Sequence, residues 1–532
     1  MAGQGGTLLW AARPGGDPSA IAGKLRGYAR WVPRLGLNGL LIFGLAESEG
    51  FGDNAPMKRL ESGAVGDEVW RRRLKIAGLL VVLIASLALA LQSYTKVARQ
   101  MDQNVHIDAF DSYMKTVPAF IYAHQAYRSD RFPLPPLTLL FVAPYTLLSR
   151  PTAQAAWVLT KPFMFVPIFL LMIAMVRRAG VRLETLAVLL VAAGWFFPVI
   201  GDVQEGQMNL LMLLPLVLGL WLAQGETHRH QWAAGLMVAL AICIKVTPLA
   251  FLAYFIYRRR WRIVLGILAG IGLWLFVVPA VVFSWHQNIV WLRQWTSIMI
   301  LPYVTGGVIK FANGESIPEL MKRLLEHIPA WQDFQHGHTV DHYVNIVNWS
   351  PRVVLWIWRG VLAGIAAAGM IWARRPLQSL QCRRYLMEIG CIGMFMLWAS
   401  ERTWVPHYVT LILALMATAM IASDTAAPEQ TRRWAWTALI GVALLMPWTS
   451  DLAKIFGRDG RHYFDSMDVV LWASFLLAAV LITSRYPALA LAPRMPQAPP
   501  TEAPSDRRCR VMRFAGRAVP ARWRRTEPVT ED

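Results

Sequence analysis

Two short stretches of the sequence place ionisable residues beside long apolar segments, in combinations that could support proton transfer and phosphate chemistry. The first contains Asp108 and Asp111, which follow an apolar segment that ends near Ser93. A carboxylate can accept the proton of a hydroxyl group at neutral pH when it lies within hydrogen-bonding reach. Acids in a water-facing loop are also ordinary, so the residue types alone leave catalysis and simple solvation open.

The second stretch runs from Glu401 to Tyr408 and holds Glu401, Arg402 and His407 between two apolar segments. Ionisable groups at the mouths of membrane helices are functional candidates. A cation there could stabilise the negative charge that develops on a leaving group. The structural alternative is an ion pair between Glu401 and Arg402 that ties the turn.

Lys245 and a run of histidines each admit two interpretations. Lys245 lies in an apolar stretch that Pro248 interrupts, and its ammonium group could bind a phosphate or extend to the inner membrane surface. His336, His338 and His342 have a spacing similar to that of a metal site, but no helix is predicted around them to fix a coordination sphere. We therefore predict no bound metal.

Other cofactor signatures are missing from the sequence. The four cysteines are widely scattered, which excludes a disulfide framework and a cysteine zinc site. We find no Gly-rich phosphate loop in a strand–helix unit and no clear Asp-x-Asp metal motif, because Asp108 and Asp111 are separated by two residues. The sequence therefore predicts no cofactor.

The elements that must position these residues are membrane helices. Hydrophobic residues make up 55% of the 532-residue chain and charged residues only 16%, against roughly 25% charged residues in soluble domains. The apolar residues occur in blocks close to the length of about 20 residues that a membrane-spanning helix needs. We predict an all-α, polytopic integral membrane protein.

The net charge is +20. The positive-inside bias of membrane proteins places the basic residues in loops on the cytoplasmic side, so the charge does not indicate nucleic-acid binding. This bias predicts cytoplasmic N- and C-termini and ten crossings. They lie at Leu74–Ser93, Ala155–Val176, Glu184–Ile200, Met208–Ala223, Ile263–Phe283, Pro351–Trp372, Met387–Ser400, Pro406–Ser423, Trp434–Trp448 and Val469–Ile482.

Two apolar segments need separate treatment. A single crossing through Gln231–Tyr257 would place the arginines that follow it outside, so we predict a broken hairpin that enters and leaves on the cytoplasmic side. Pro136–Ser149 is short for a span and is predicted as a shallow helix on the outer side. If it crosses, the total rises, so the prediction is about ten to twelve transmembrane helices.

Three regions follow from this pattern. Residues 1–70 are predicted to be a poorly ordered cytoplasmic segment, residues 71–485 the transmembrane domain, and residues 486–532 a disordered, basic cytoplasmic tail. The arginines of the tail could bind anionic membrane lipids, or the tail could simply be solvated.

Five motifs, in order, resemble those of glycosyltransferase family 87, a group of membrane mannosyltransferases of the GT-C superfamily. The motifs are an Asp followed by Tyr113 and the segment Phe132–Leu137; Glu205–Leu211; Gly235–Trp261 with its Lys-Val-Thr-Pro sequence; Asn313–Ser316; and Ser400–His407. Leu134, Glu315 and Pro406 depart from the family's motifs at single positions.

The resemblance implies a GT-C-like helical bundle in the plasma membrane that moves a hexose, mannose in this family, from a polyprenyl-phosphate donor to a lipid or glycan acceptor. The implied linkage is α-1,2. Membrane lipids are the only other partners expected. A transporter or flippase of a lipid-linked sugar is the alternative function.

For an inverting transfer, one carboxylate must act as the base, and we place Asp108 first with Asp111 as the alternative. Cations must meet the departing phosphate. We expect His407 to serve as a catalytic residue, with Arg402 and Lys245 as phosphate-binding residues. The residues expected to bind the sugar are Gln207, Asn209, Trp404 and Glu401.

Overall fold

The computed structural model describes residues 83–100, 108–123, 132–305, 314–335, 338–456, 464 and 466–484. All of them lie in one compact unit that ends at Pro487. The predicted N-terminal segment and C-terminal tail fall outside the described residues, and so do Asn313 and His336.

The described chain is almost entirely α-helical, as the sequence predicts. A helix over residues 83–99 is labelled α1. The helices that follow are α2 (Ala109–Ala123), α3 (Leu137–Val142), α4 (Arg150–Thr160), α5 (Pro162–Arg178), α6 (Thr185–Gln204), α7 (Asn209–Ala223), α8 (His228–Ile244), α9 (Leu249–Tyr257), α10 (Trp261–Ile271), α11 (Val278–Phe283), α12 (Trp285–Trp295), α13 (Leu301–Thr305), α14 (Ile317–Leu325), α15 (Pro351–Trp372), α16 (Arg383–Trp398), α17 (Ile412–Ser423), α18 (Glu429–Leu445) and α19 (Val469–Thr483).

Within the described ranges, five continuous helical stretches are long and apolar enough to cross a membrane. They are Arg150–Arg178, Thr185–Gln204, Trp261–Phe283, Pro351–Trp372 and Val405–Ser423, and three shorter apolar stretches are Leu137–Leu147, Asn209–Ala223 and Val469–Thr483. The protein is an all-α polytopic membrane protein, whereas the total of ten crossings and the cytoplasmic location of both termini stay predictions.

The stretch Val405–Ser423 forms the centre of the bundle. It starts as a 3-10 helix over Val405–Leu411 and continues as α17, in which every residue is buried. A helix that is apolar on all sides must be covered on all sides. Its neighbours are α5, α6, α16, α18 and α19, so the turn before Val405 is held by the most buried part of the molecule.

The loops rich in arginine meet at one end of the bundle. Glu388 at the start of α16 accepts hydrogen bonds from Arg258, Arg384 and Tyr254. Nearby, Arg383 pairs with Asp424 at 2.5 Å. These contacts join the loops that follow α9, α15 and α17. We call this the basic end and the opposite one the site end.

Helices α8 and α9 form the hairpin that the sequence predicts. Gly235 packs against Ile263 and Gly266, while Ala239, one turn later in α8, packs against Gly270. Since the contacts advance in the same direction along both helices, α8 and α10 run parallel. The connecting helix α9 must therefore return towards the basic end, and the break at residues 245–248 lies at the site end. Which membrane face each end occupies stays a prediction.

The helix break follows from the local sequence. Pro248 has no backbone N–H to continue the ladder, and the residue before a proline is disfavoured in the α conformation. Helix α8 accordingly ends at Ile244, and Lys245 is extended, with φ −150° and ψ 132°.

Two features differ from the sequence-based expectation. An antiparallel β-hairpin, β1 (Trp331–Gln335) with β2 (His338–His342), interrupts the helical pattern. Several helices also begin before the predicted spans: α16 starts at Arg383 and α18 at Glu429. Apolar composition locates only the part of a helix inside the hydrocarbon, whereas the helix itself continues into the polar interface.

Candidate active site

Asp108 lies directly before α2, where its side chain acts as an N-cap. One carboxylate oxygen accepts a hydrogen bond of 2.8 Å from the backbone N–H of Asp111, and the other accepts one from the Gln154 side chain. The carboxyl group is half-buried, and burial raises its pKa above the usual value of 3.8, although both hydrogen bonds act in the opposite direction. Among the described residues, no cation forms an ion pair with it.

Asp111 has a different environment, although it is only one helical turn away. Arg150 donates to its carboxylate through Nε at 2.9 Å and Nη2 at 2.6 Å. Lys115 is a second cation, at 3.5 Å, and the Asp111 side chain is 1% exposed. This ion-pair network joins α2 to α4 and leaves little room for a substrate.

The loop over residues 205–208, between α6 and α7, packs directly against Asp108. The Glu205 carbonyl accepts a hydrogen bond from the Ala109 N–H at 3.0 Å. Gly206 has a φ of +63°, and a Cβ atom there would lie 2.7 Å from the Phe110 Cβ and 3.1 Å from the Asp108 carboxylate. Only glycine fits both the backbone conformation and this approach. Gln207, half-buried in the same loop, has no side-chain hydrogen bond to another described residue.

A chain of four polar side chains extends from this loop across the site end, and we call it the buried polar chain. Lys161 donates to Asp202 Oδ2 at 2.7 Å and also to the Gln207 carbonyl. Asp202 Oδ1 accepts from the Asn209 N–H at 3.0 Å. Asn209 Oδ1 in turn accepts from Lys245 Nζ at 2.6 Å.

The last two members of the buried polar chain retain hydrogen-bonding capacity. The Asn209 side chain is buried, and its Nδ2 has no partner among the described residues. Lys245 Nζ can donate three hydrogen bonds, of which the structure shows one. The Asn209 Nδ2 group and the remaining N–H groups of Lys245 thus have no acceptor in the described part of the site end.

His407 lies in the 3-10 helix that begins at Val405. Its Nδ1 accepts a hydrogen bond of 3.0 Å from the Trp404 N–H, and the charge of Lys245 acts on its ring. Pro406 beside it packs against Gly201 of α6. Arg402 and Trp404 are exposed on the same turn, and no side-chain ion pair of Arg402 is seen in the described part of the chain.

Glu401 is buried and pairs with Lys322 of α14 at 3.3 Å. The Glu–Arg pair considered from the sequence is therefore replaced by a contact between distant segments. The same two segments meet again where the Thr403 carbonyl accepts from the Glu315 N–H at 2.5 Å and Tyr408 donates to the Glu315 carbonyl at 2.6 Å. The turn that carries His407 is thus fastened to the loop before α14.

The histidine run does not form a cluster within the described residues, where no group of three metal-ligating side chains occurs. His342 stacks on Trp331 across the β-hairpin, with ring centroids 4.8 Å apart. His336 lies outside the described residues, and His338 lies in β2 opposite Gln335.

Three residues of the site were not singled out from the sequence: Gln154, Lys161 and Asp202. Lys161 and Asp202 are fully buried charges at the ends of apolar helices. Ionisable residues inside predicted membrane segments are functional candidates, and Lys161 lies inside the predicted span Ala155–Val176, so a signal for it was present. Asp202 lies two residues beyond the predicted span Glu184–Ile200 and gave no such signal. Gln154 offers no comparable signal, because a single amide near a helix start is common.

The site has the elements of a group transfer that expels an anion. Asp108, which has no ion pair within the described ranges, packs against Gly206 of the 205–208 loop. Asn209, which follows this loop, bonds Lys245, whose charge acts on the His407 ring. Gln207 and Trp404 offer a free amide and an apolar ring near these groups. Asp111 and Glu401 are occupied by ion pairs.

Comparison with known proteins identifies the family. The model of glycosyltransferase family 87 matches residues 132–400, about half of the chain. No solved structure matches.

Among curated proteins, a polyprenol-phosphate-mannose-dependent alpha-(1-2)-phosphatidylinositol mannoside mannosyltransferase of Mycobacterium tuberculosis is 25% identical over 377 residues, which cover 66% of this chain and 77% of that protein. The protein of the same description from Mycolicibacterium smegmatis is 26% identical, over 60% of this chain and 67% of its own length. A phosphatidylinositol pentamannoside mannosyltransferase of the latter organism is 24% identical, over 54% of this chain and 60% of its own length. The family match contains three of the five sequence motifs in full, together with Phe132–Leu137 of the first motif and Ser400 of the last. It also includes Asn209 and Lys245, and the chain belongs to glycosyltransferase family 87.

Proposed function

We propose that this chain transfers a mannosyl residue from polyprenyl-phosphate mannose to a glycolipid acceptor at the extracytoplasmic face of the plasma membrane. The relatives are described as polyprenol-phosphate-mannose-dependent enzymes that act on phosphatidylinositol mannosides, which supports this donor and an acceptor that already carries mannose. The proposed linkage is α-1,2, as in the description of the relatives. Family membership favours an enzyme over the alternative of a lipid-linked-sugar transporter.

The reaction that we propose is a single inverting displacement. The acceptor hydroxyl loses its proton to Asp108 while its oxygen forms a bond to the anomeric carbon of mannose. The bond from that carbon to the phosphate oxygen breaks, and the electron pair leaves with polyprenyl phosphate. A positioned carboxylate supplies the base, and cations stabilise the charge that grows on the leaving phosphate.

One observation carries the assignment of the base: two neighbouring acids differ in their partners. Asp111 is paired with Arg150 and Lys115, whereas the Asp108 carboxylate is bonded, among the residues that the structure describes, to the Gln154 amide and a backbone N–H alone. Both carboxylate oxygens of Asp111 are already in contact with cations, so they are not open to an acceptor hydroxyl. The contacts therefore favour Asp108.

The phosphate of the donor is proposed to bind beside Lys245 and Asn209. Lys245 and Asn209 have donors there without an acceptor among the described residues, and the charge of Lys245 acts on the His407 ring. Asn209, which the sequence assigned to the sugar, is thus better placed for the phosphate. Arg402, exposed on the turn, could reach a phosphate at the membrane surface.

The mannosyl group would then lie between Asp108 and this phosphate site. Gln207 offers an amide that has no bond to another described residue, and Trp404, 39% exposed, offers an apolar ring face. Glu401 is paired with Lys322, and we propose that it supports the turn that carries His407 instead of contacting the sugar.

The test is a transfer assay with purified protein in lipid nanodiscs. Radiolabelled polyprenyl-phosphate mannose should label a phosphatidylinositol mannoside acceptor, and GDP-mannose should give no product without a separate enzyme that makes the lipid donor. Asp108→Asn should lower turnover by roughly 10²–10⁴, the usual effect of a lost general base. The matched control is Asp341→Asn in the exposed β-hairpin, which should retain wild-type turnover.

Direct transfer from GDP-mannose would contradict the proposed donor. A fully active Asp108→Asn protein, together with an inactive but folded Asp111→Asn protein, would move the base to Asp111.

A further inference from the structure

Two members of the buried polar chain, Lys161 and Asp202, have no part in the reaction proposed above. Their side chains are both 0% exposed, and the Lys161 ammonium group also lies 4.6 Å from the centre of the Trp157 ring. They therefore cannot contact the sugar or the acceptor directly.

Stability alone is a weak explanation for this pair. Removing two charges from water costs more than a single ion pair usually returns, and apolar replacements of buried pairs are often as stable. The pair does, however, make contacts that an apolar replacement could not make. These contacts hold a neighbouring loop in place.

The pair fixes the 205–208 loop at two points. Lys161 binds the Gln207 carbonyl, and Asp202 Oδ1 accepts the N–H of Asn209, the first residue of α7. Met208, at the N-cap position of α7, has no side-chain cap. Asp202 thus caps α7 from the preceding helix and sets the position at which Asn209 leaves the loop.

The position of Asn209 determines the direction of Lys245. The only hydrogen bond of the Lys245 ammonium group among the described residues is the one of 2.6 Å to Asn209 Oδ1. A lysine side chain has many rotamers, so a single bond of this kind selects which way its remaining donors point. The Asn209 Nδ2 donor moves with the same side chain.

We propose that Lys161 and Asp202 are positioning residues, which hold the 205–208 loop so that Asn209 aims the Lys245 ammonium group at the phosphate of the donor lipid. This inference rests on the proposed function for the identity of that phosphate. Neither residue touches the reacting atoms. Both act through Asn209.

The experiment measures the affinity of purified protein for undecaprenyl phosphate, which resembles the product of the reaction. The test variant is Lys161→Met with Asp202→Asn. It removes both charges and the bond to Gln207, while the amide oxygen introduced at position 202 can still accept the Asn209 N–H, so α7 keeps its cap. The matched control is Arg383→Met with Asp424→Asn, which removes an ion pair at the basic end.

We expect the test variant to bind undecaprenyl phosphate roughly tenfold more weakly, as expected for one misdirected hydrogen bond from a charged donor. The control should keep wild-type affinity. In a Lys245→Met background, the test variant should cause a smaller further loss than in the wild-type background, because only the Asn209 Nδ2 donor is left to be misdirected. Such non-additivity is the signature of coupled residues.

Additive losses in the two backgrounds would overturn the inference, since they would show that the pair merely supports the fold. An unchanged affinity of the test variant would overturn it as well. If the test variant does not fold, Asp202→Glu, which keeps both charges but displaces the cap, is measured in the same two backgrounds with the same expectations. A wild-type protein that does not bind undecaprenyl phosphate would instead contradict the proposed donor, and with it this inference.

Discussion

At the scale of single residues, the hydrogen bond from Gln154 to Asp108 adjusts the proton affinity of the proposed base. Burial raises the pKa of the Asp108 carboxyl, and the Gln154 amide opposes this shift because it stabilises the ionised form. The base must be ionised to act, so turnover is lost as the pH falls through this pKa. The acid limb of the wild-type profile should therefore lie above that of an unperturbed aspartate, near pH 3.9.

We predict that Gln154→Met moves this acid limb to higher pH. Methionine has similar volume but cannot donate, so the pKa of Asp108 rises further and more of the protein is protonated at a given pH. The position of the acid limb is measured from profiles of kcat/KM against pH. Gln332→Met in the exposed hairpin is the control. An unmoved limb, or one displaced to lower pH, would mean that Asp108 is not the group being titrated.

Glu319 in α14 predicts a pH dependence of stability. Burial raises the pKa of this carboxyl from 4.5 to about 8, and Glu401 adds to the shift while Arg323 and Lys322 oppose it. Between these values the folded protein holds one proton more than the unfolded protein. Stability should therefore fall as the pH rises through this window.

We predict that Glu319→Gln removes this contribution. In detergent, the difference in melting temperature between the variant and the wild type should shift steadily in favour of the variant from pH 5 to pH 8. Glu429→Gln is the control, because Glu429 is exposed and forms a surface ion pair with Arg433. Parallel melting profiles for Glu319→Gln and the wild type would show that the carboxyl is ionised in the folded protein.

At the scale of elements, the hairpin of α8 and α9 depends on close packing of α8 against α10. A Cβ atom on Gly235 would lie 2.4 Å from the Ile263 carbonyl oxygen and 2.7 Å from Gly266 backbone atoms. Backbone atoms cannot move aside as a flexible side chain can, so any larger residue must separate the helices.

We predict that Gly235→Val lowers the free energy of unfolding by about 1–3 kcal/mol and also lowers turnover, because the helix that ends at Lys245 moves. Gly364→Val is the control. Gly364 lies in α15 with no atom within 4 Å of the added Cβ, and the substitution has the same helix propensity. Equal effects of both variants on melting and turnover would show that propensity, not packing, is responsible.

The elements also show what the sequence could predict. The hairpin follows from Pro248 and the arginines after it, because proline chemistry and charge bias are local properties. The ion pairs that define the site are not local: Lys161 and Asp202 are separated by 41 positions, and Glu401 and Lys322 by 79. Apolar periodicity places such residues on helices but does not show which residues they pair with. The sequence therefore does not show that Arg150 pairs with Asp111 and not with Asp108.

At the scale of the whole molecule, the predicted sidedness can be tested by cysteine labelling. In a chain whose four native cysteines are replaced by alanine, we predict that Asp341→Cys reacts with a membrane-impermeant thiol reagent on intact cells or spheroplasts. Arg262→Cys, at the basic end, should react only after lysis. Both positions are exposed. Labelling of Arg262→Cys in intact cells would invert the proposed orientation and place the site on the cytoplasmic side.

The parallel course of α8 and α10 has a consequence for how this architecture can vary. The chain leaves the basic end through α8 and returns to it through α9. The α8–α9 hairpin therefore begins and ends on the same side of the membrane and adds no net crossing. Lengthening it, shortening it or exchanging it for another would leave the orientation of every flanking helix unchanged. The segment that carries Lys245 can therefore diverge in depth and sequence without any compensating change elsewhere, whereas insertion of a full span would invert all helices that follow.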